Sequence, residues 1–463
     1  MYKYKSGQIS ITDFGQPAGM HLNENNRWVK KAEMIPWDEI EKRYAKLFKN
    51  NIGNVAKPLR LALGACMIQA DYGFSDEEVT LQIQEAPYLQ YFCGYNAYDD
   101  SKPPFDPSSM VYFRKRLTPE ILGEINEMIL IKNKADATSN DDHHDDHNSG
   151  TMIVDASCAP SQIKYPQDAN LLNQARESTE KLIDSMHTPG ENKPRTYRRK
   201  AHKDYLTLVR CRKPTAKKIR NAIGKQLSYL RRNLESIEKQ LQQGKSLTCA
   251  EQSRLIVIQK VYAQQKYMYD NRPHSVPDRI VSLSQPWIRP IERGKAGKPV
   301  EFGAKLDISV VDGFTRLEYL SFDAYNEAVT LKQTIERYRE RTGHYPERVL
   351  ADKIYRNRDN LNFCKEQGIR LSGPALRPKK DEQPDRKQNY IDECERVEVE
   401  RRFSLAKRKC NLGMVTARLK DTAFHCIAMS VVVLNLRKLV LSLLHFFKMW
   451  LVWIDQEKTA VIQ

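Results

Sequence analysis

The sequence predicts a mixed α/β sheet with helices packed on it, preceded by a helical domain and interrupted by a large helical insertion. Three observations favour this fold class. Apolar residues alternate strictly across residues 302–310 and are followed by Asp312-Gly313, which is typical of a β-hairpin. Residues 152–154 and 349–351 are short apolar runs with the composition of buried strands. Most of the remaining chain has helical periodicity, and strands that alternate with helices predict a sheet covered by helices.

The N-terminal part is predicted to be a helical DNA-binding domain. Residues 58–72 form a dense apolar run, and Ser75 precedes three acidic residues as a helix N-cap does. A further helix opens at residues 107–109 and ends in an aromatic-basic segment, whose candidate DNA contacts are Arg114 and Arg116. Short helices of this kind suit DNA binding, but any small helical bundle shows similar features, so both interpretations stay open.

The predicted domains follow one another along the chain. A helical domain covers residues 1–132, a polar linker 133–150, the sheet domain 151–420 and an apolar C-terminal helix 421–463. The Asp-His run of the linker, residues 141–147, could bind a metal opportunistically, but no ordered scaffold is predicted around it. The longest uncharged run of the C-terminal segment has 15 residues, fewer than the roughly 20 that span a membrane. We therefore expect a buried core helix there, and no membrane partner.

The predicted sheet places two aspartates at the carboxyl ends of buried strands. Residues 152–154 lead into Asp155, and residues 349–351 deliver Asp352. The hairpin and a helix ending near Gly343 lie between them, and another helix and strand follow. Because active sites of open α/β sheets collect at the carboxyl ends of strands, Asp155 and Asp352 are candidate site residues.

An insertion at about residues 160–300 is predicted to be helical and basic. Apolar residues step by threes and fours through residues 219–241, Gly244 ends that helix, and a second periodic run favours a coiled-coil-like hairpin. Residues 195–245 hold 16 lysines and arginines against 3 acidic residues. The candidate DNA contacts on this basic face are Arg198, Arg199, Lys200, Lys217 and Lys218. For any single lysine, a solvated helical face is an equally good interpretation.

The composition points to a nucleic-acid partner in a reducing compartment. The 463 residues carry a formal net charge of +17, which favours a polyanionic partner. Nine cysteines without a C-x-x-C pair argue for free thiols, and against a zinc ribbon or a disulfide framework. The first residues lack the apolar region of a signal peptide, so we expect a cytoplasmic protein.

A predicted helix near the C-terminus presents a carboxylate flanked by two cations. Arg396, Glu400 and Lys407 project from one face, because steps of four and seven residues return close to the same angle on a helix. Beside this face runs an apolar stripe, made of Val399, Phe403, Ala406 and Cys410. Such a face suits a metal ion that handles a phosphate, while a solvated, salt-bridged surface helix is the alternative. Glu398 projects about 200° away, which favours Glu400 over it.

Asp155, Asp352 and Glu400 form a candidate metal-binding triad. Mg²⁺ prefers hard oxygen ligands, and two such ions can activate a water or a 3′-hydroxyl and stabilise the leaving oxygen of a phosphodiester displacement. Spacing alone does not single out this triad, since the chain has 58 acidic residues. His202 and His425 are predicted to be structural or surface residues, because metal-activated water needs no separate histidine.

Several longer segments carry a family resemblance. They are F-S-D-E-E, P-F-D-P-S-S-M-V-Y-F-R-K-R-L, T-M-I-V-D-A-S-C-A-P, Y-P-Q-D-A-N-L-L-N-Q-A-R-E, R-G-K-A-G-K-P-V-E-F-G-A-K and V-L-A-D-K-I-Y-R-N-R-D-N. The most specific is Arg396-x3-Glu400-x6-Lys407. Together they cover most of the chain, which resembles the DDE transposases of bacterial insertion sequences, specifically the insertion-sequence-five family and its relatives.

The resemblance implies an RNase H-like core in which Asp155, Asp352 and Glu400 bind Mg²⁺, with Mn²⁺ as a substitute. It also implies that Arg396 and Lys407 contact the DNA end or the active-site phosphate. The implied function is a transposase that binds the terminal inverted repeats of its element, cleaves the ends and joins the 3′-hydroxyls to target DNA. Its implied setting is a homodimer on double-stranded DNA, in a bacterial cytoplasm near the nucleoid.

One position departs from the family, and two other functions stay open. The family often has a tyrosine three residues before the arginine, where this chain has Glu393, so Tyr390 is a candidate replacement. A catalytically inactive DNA-binding relative would keep the basic surfaces, although an intact triad argues against it. An RNase H-like host nuclease or resolvase would share the catalytic core.

Overall fold

The computed structural model describes residues 1–3, 9–48, 54–135, 148–273, 275–295, 298–373 and 386–460. The Asp-His run at residues 141–147 lies outside the described residues. Helix α7 extends to Ala135, three residues into the range predicted as a linker.

Fifteen α-helices and six β-strands make up the described chain. The helices are α1 (Arg27–Met34), α2 (Trp37–Ala45), α3 (Leu59–Tyr72), α4 (Asp76–Glu85), α5 (Pro87–Phe92), α6 (Ser109–Arg116), α7 (Pro119–Ala135), α8 (Asp168–Ser185), α9 (Arg198–Val209), α10 (Ala216–Gln242), α11 (Cys249–Asn271), α12 (Leu331–Thr342), α13 (Arg358–Glu366), α14 (Arg386–Lys409) and α15 (Lys420–Ala460). The strands are β1 (Thr151–Pro160), β2 (Arg289–Lys295), β3 (Lys298–Val311), β4 (Phe314–Ser321), β5 (Arg348–Leu350) and β6 (Arg370–Leu371).

The chain divides into two compact units. The first contains Met1–Pro160, Lys305–Ser321 and Tyr325–Gln463, and the second contains Ser161–Ala304 and Phe322–Ala324. The second unit therefore corresponds closely to the predicted insertion. The predicted division of the chain into four functional domains stays a prediction.

The first unit contains a mixed, curled sheet flanked by helices, so the coarse fold class is confirmed. Its strands lie in the order β3-β1-β5-β6, and β4 pairs with β3. β1, β5 and β6 are parallel to one another, whereas β3 and β4 are antiparallel. The apolar residues on one side of these strands pack against α12 and α13 in a core that includes Met152, Val154, Ile335 and Val349.

The predicted β-hairpin is confirmed. Val311 pairs with Phe314 across the turn formed by Asp312 and Gly313. Both turn residues have positive φ, 54° and 71°, as the tightest hairpin turns require. Glycine and aspartate tolerate this conformation better than most residues, which is why the turn could be recognised in the sequence.

Two strands differ from the prediction. β1 continues to Pro160, so Asp155 lies within the strand and not at its carboxyl end. Small buried residues, including Cys158 and Ala159, carry the strand onward, and their apolar signal is weak. β2 was not predicted at all, because its sequence R-P-I-E-R-G-K shows no alternation of apolar and polar residues.

The N-terminal helices and α15 share one core in the first unit. The predicted helices α3, α4 and α6 are present, and Ser75 caps α4 by accepting a hydrogen bond from the Glu78 N–H at 3.1 Å. Within the described residues, Lys420–Ser442 is the one segment that passes a length-and-composition test for a membrane span, and 67% of its most apolar window is buried in the protein. Core helices pass the same test, and the expected burial of this helix is observed.

The second unit is a helical bundle. α10 and α11 form the predicted helical hairpin, and Gly244 after α10 has a φ of 86°. The hairpin does not stand alone, because Leu171, Leu172 and Ala175 of α8 pack against it. A third helix hides the apolar stripe that a two-helix hairpin would leave exposed.

Candidate active site

Asp155 and Asp352 are brought to the same level of the sheet by parallel pairing. Ile153 of β1 pairs with Leu350 of β5. Each aspartate follows its paired residue by two positions, and side chains two positions apart point to the same face of a strand. Asp352 also caps a 3-10 turn, accepting a hydrogen bond from the Lys353 N–H at 2.6 Å.

The Asp155 carboxyl has an unusual electrostatic environment. Its pKa is raised to about 6, mainly by burial and in smaller part by the charges of Glu327 and Asp352. A hydrogen bond from the Ala156 N–H, 2.8 Å long, and the charge of Arg396 oppose this rise. A carboxylate that is buried beside two others gains stability from a nearby positive charge.

The predicted face of α14 is turned toward the strand that carries Asp155. Arg396 pairs with Glu400 at 3.2 Å, and Arg396 also acts electrostatically on Asp155. One end of the same face is attached to β1, because the Lys407 ammonium donates a 3.0 Å hydrogen bond to the Ser157 hydroxyl. The carboxylate of Glu400 is 55% exposed and so stays accessible to a large substrate.

The rest of α14 explains how this face is held. All four residues of the predicted apolar stripe are buried: Val399, Phe403, Ala406 and Cys410. Glu398, the alternative to Glu400, instead pairs with the buried Arg402 at 2.5 Å and with Arg401 at 3.4 Å. The Glu398 carboxylate therefore neutralises the buried Arg402 and helps to hold α14 in place.

The three candidate ligands are not drawn together into one coordination shell. Across the described residues, no group of three or more histidine, cysteine, aspartate or glutamate side chains is placed to hold a metal ion. The donor types nevertheless fit Mg²⁺, since all three candidates offer hard carboxylate oxygens. Glu327 and Asp352 repel the Asp155 carboxylate, and the positive charge of Arg396, which pairs with Glu400, offsets this repulsion. A bound cation would have the same effect.

A second acidic group, to which the sequence assigned no role, lies beside this centre. Asp307 is buried on β3, and burial raises its pKa to about 6. Its carboxylate accepts hydrogen bonds of 2.6 Å from the hydroxyls of Tyr325 and Thr330. Glu327, in the turn before α12, forms an ion pair with Lys305 and acts electrostatically on both Asp307 and Asp155. A polar turn has no periodicity, so only the tertiary structure reveals Glu327.

A buried tyrosine lies among these carboxylates. The pKa of Tyr355 is raised by burial and then by the charges of four carboxylates: Asp307, Glu327, Asp155 and Asp352. Its hydroxyl is buried and has no hydrogen-bond partner among the described residues. The side-chain amide of Asn360 donates to the carbonyls of Ala328 and Tyr355 at 2.8 and 2.9 Å, which ties the turn of Glu327 to the turn after Asp352.

Arg114 does not fit the predicted set of DNA contacts. Its guanidinium is buried and makes two hydrogen bonds to Asp76, of 2.7 and 2.6 Å, and one to Gln69 of 2.9 Å. A guanidinium engaged in this way joins α6 to α3 and α4 and is not available to a phosphate. Arg116 is half-buried and lies over the ring of Phe48, 5.0 Å from its centroid.

The predicted DNA contacts of the insertion lie on the surface of the second unit. Arg199, Lys200, Lys217 and Lys218 are exposed. Arg198 is also exposed, but its guanidinium is already engaged by Asp184 through hydrogen bonds of 3.0 and 2.8 Å. The basic face is therefore present, with one of its cations internally paired.

The two histidines occupy the kinds of position that were predicted. His425 is buried, its Nδ1 lies 2.7 Å from the Leu117 carbonyl oxygen, and burial lowers its pKa to about 4. His202 lies at the surface. All nine cysteines are free thiols, as expected. Glu393 and Tyr390 are both exposed on α14.

Comparisons with known proteins match two parts of the chain. The family model described as Transposase DDE domain matches residues 349–437, and the family model described as Transposase domain (DUF772) matches residues 17–116. The first range includes Asp352, Arg396, Glu400 and Lys407, and the second covers the helices from α1 to α6. The match to a DDE domain points to the class of DNA-cleaving enzymes.

Together the two domain matches indicate an insertion-sequence transposase. Substrates of this family are DNA, and DDE transposases generally use divalent metal ions. The chain is also 29% identical over 154 residues to a protein of Rhizobium meliloti described as "Uncharacterized protein ORF8 in nfe locus". The matched region covers 33% of this chain and 71% of that protein. No solved structure matches the chain.

Proposed function

We propose that this transposase binds the terminal inverted repeats of its element, cuts phosphodiester bonds at the ends and joins the freed 3′-hydroxyls to target DNA. Asp155, Asp352 and Glu400 are the proposed catalytic and metal-binding residues. The observation that carries this proposal is the attachment of α14 to β1, which turns Arg396, Glu400 and Lys407 toward the strand of Asp155. The mixed sheet that holds Asp155 and Asp352 supports an RNase H-like core.

The same residues suggest how the proposed centre is loaded. Asp155, Asp352 and Glu400 would hold Mg²⁺, or Mn²⁺ in its place. When bound, such ions activate an attacking hydroxyl and stabilise the leaving oxygen in phosphodiester chemistry. Arg396, now paired with Glu400, would release that carboxylate and bind a phosphate of the DNA end. Lys407 would hold a second phosphate beside Ser157.

The remaining parts of the proposal concern DNA. The helical N-terminal part is proposed to bind the repeats, and the exposed cations of the second unit are proposed to contact the backbone. Phosphate contacts release counterions, so binding is expected to weaken steeply with salt. Because two element ends must be joined, a homodimer on DNA is the proposed working assembly, and the bacterial cytoplasm near the nucleoid is its proposed location.

A cleavage assay tests the proposal. The substrate is a duplex that carries one element end with its flanking DNA, incubated with the full-length protein and Mg²⁺. We expect nicking at the end to fall by at least about 1,000-fold in Asp155→Asn and in Glu400→Gln, because each removes a ligand charge, while binding of the duplex is kept. Equal nicking by the wild type and Asp155→Asn would refute the assignment.

Glu398→Gln is the matched control. It makes the same chemical change two residues from Glu400 on the same helix, but at a carboxylate that pairs with Arg402. We expect it to lower stability and to leave the cleavage rate of the folded protein within a few-fold of the wild type. A loss of cleavage in Glu398→Gln equal to that in Glu400→Gln would mean that the wrong face of α14 has been assigned.

A further inference from the structure

The second unit contains a groove of about 940 Å³ between α9, α10 and α11, here called the insertion groove. Five cations line it: Lys200, Lys225, Arg231, Arg232 and Lys266. Among the described lining residues, Asp204 is the one carboxylate, and it pairs with Lys225 at 3.0 Å. Lys266 and Arg231 pair with Asp270 and Glu235 of their own helices, at 2.6 and 3.7 Å. The positive charge left for a ligand is therefore mainly that of Lys200 and Arg232, and it favours an anion.

Tyrosine rings line the same groove. Four tyrosines contribute to its walls: Tyr197, Tyr229, Tyr262 and Tyr269. Arg232 lies between two of these rings, with its guanidinium carbon 5.2 Å from the centroid of Tyr197 and 5.7 Å from that of Tyr229. Arg232 has no carboxylate partner among the described residues. A cation held by rings and not by a carboxylate keeps its charge available to a ligand.

Two backbone features place rings at the groove. Tyr197 has a φ of 53°, a conformation that bulky residues rarely adopt, and its side chain is exposed beside α9. Gly224 lies within the 27-residue helix α10, where glycine is less favourable than alanine. A Cβ on Gly224 would lie 2.6 Å from the Tyr269 hydroxyl, so the glycine makes room for that ring. The Arg220 guanidinium covers the same ring at 4.2 Å.

We propose that the insertion groove binds unpaired nucleotides of the DNA substrate, with bases against the tyrosine rings and phosphates against the cations. Every base has a face that can stack on an aromatic ring, and basic channels with aromatic side chains bind single strands. A duplex can place its phosphates against the cations, but its paired bases are not free to stack on the tyrosine rings. An acidic peptide could bind the cations, but its carboxylates would not stack on the rings. The inference rests on the proposed function in one respect, namely that the substrate is DNA.

Anisotropy titrations with the full-length protein test the groove. The probes are a labelled oligothymidine of about 12 nucleotides and an abasic strand with the same number of phosphates. If bases stack in the groove, the wild type prefers oligothymidine over the abasic strand by about tenfold or more. Tyr269→Leu is expected to remove this preference, with little change in affinity for the abasic strand.

Two further variants separate the effect of the groove from a general loss of charge and from a loss of folding. Lys217→Gln changes an exposed cation on α10 that does not line the groove, so it should weaken both probes equally and only a few-fold. Gly224→Ala adds one methyl group against the end of the Tyr269 side chain and raises helix propensity, so it disturbs the ring in a folded protein even where Tyr269→Leu is unstable. It should also reduce the preference for oligothymidine.

Several outcomes would overturn the inference. They are equal binding of the two probes by the wild type, an unchanged preference in both groove variants, and displacement of oligothymidine by polyglutamate at equal charge concentration. Asp155→Asn should bind oligothymidine like the wild type, because the groove does not include Asp155. The wild type could fail to cleave element ends and still prefer oligothymidine, with that preference lost in Tyr269→Leu. In that case the proposed function fails and the groove assignment stands.

Discussion

The ammonium group of Lys407 donates a hydrogen bond to the hydroxyl of Ser157, 3.0 Å away and 250 residues distant in the sequence. Ser157 lies two positions beyond Asp155, on the same face of β1. This contact attaches the helix of Glu400 to the strand of Asp155. It therefore fixes which side of α14 faces the candidate site.

Removing the charge of Lys407 should impair cleavage more than removing its hydrogen-bond acceptor. In Lys407→Gln we expect end cleavage to fall about 100-fold, because a cation beside a reacting phosphate is lost. Lys407→Arg should retain most activity, and Ser157→Ala should change it only a few-fold. Cleavage rates and the salt dependence of duplex binding are the measurements, and a greater loss in Ser157→Ala than in Lys407→Gln would contradict the assigned role.

The hydroxyl group of Tyr355 is expected to lower the free energy of unfolding. It is buried among four carboxylates without a hydrogen-bond partner in the described structure, so Tyr355→Phe is expected to raise the free energy of unfolding by about 1 kcal/mol. Urea denaturation measures this change. A stabilising substitution at such a position would indicate that the hydroxyl is kept for the site and not for the fold.

Tyr338→Phe provides the opposite case. The Tyr338 hydroxyl donates a 2.9 Å hydrogen bond to the Ser149 carbonyl, so its removal should lower the free energy of unfolding by about 1 kcal/mol. Both variants delete one hydroxyl from a tyrosine of the same unit. If Tyr355→Phe destabilises the protein as much as Tyr338→Phe does, the Tyr355 hydroxyl has a partner that the structure does not reveal.

Asp71 should be among the most important residues for stability in the first unit. Its buried carboxylate binds the Lys31 ammonium at 2.8 Å and pairs with Arg437 of α15. Asp71→Asn would leave two cations without their counter-charge and should cost about 3–5 kcal/mol of unfolding free energy. Glu124→Gln, which breaks an exposed pair with Arg43, should change stability little. Comparable losses in the two variants would contradict this account.

His425 should make the protein less stable in mild acid. Burial lowers its pKa to about 4 in the fold, against an ordinary value of 6.5. Between these values the unfolded chain binds a proton that the folded chain does not, so stability is fully present above pH 6.5 and is lost as the pH falls toward 4. At pH 5 the expected loss is about 2 kcal/mol.

His425→Asn removes this titration and can keep a donor toward the Leu117 carbonyl. Urea denaturation at pH 7 and pH 5 should therefore show a smaller difference between the two pH values for the variant than for the wild type. An identical pH dependence in both proteins would assign the acid sensitivity to other groups.

Local patterns in the sequence were sufficient for most secondary structure. The hairpin turn at Asp312-Gly313, the N-cap at Ser75 and the buried stripe of α14 each depend on neighbours within a few residues. β2 and the extension of β1 were missed, because their polar or small residues are held in strands by pairing with distant segments. The face of α14 that carries Glu400 could likewise be predicted from spacing along the helix. Its attachment to Ser157 could not, because that contact joins segments 250 residues apart.

By itself, the sequence determined most of the helices and strands, the basic insertion and the shared face of Arg396, Glu400 and Lys407. These properties follow from backbone geometry and from the spacing of side chains along one element. The tertiary structure alone decided that Arg114 is buried and paired with Asp76. It also decided that Glu327 and Tyr355 lie beside Asp155. Burial and electrostatic interactions depend on residues that meet only when distant segments pack, so no local pattern in the chain encodes them.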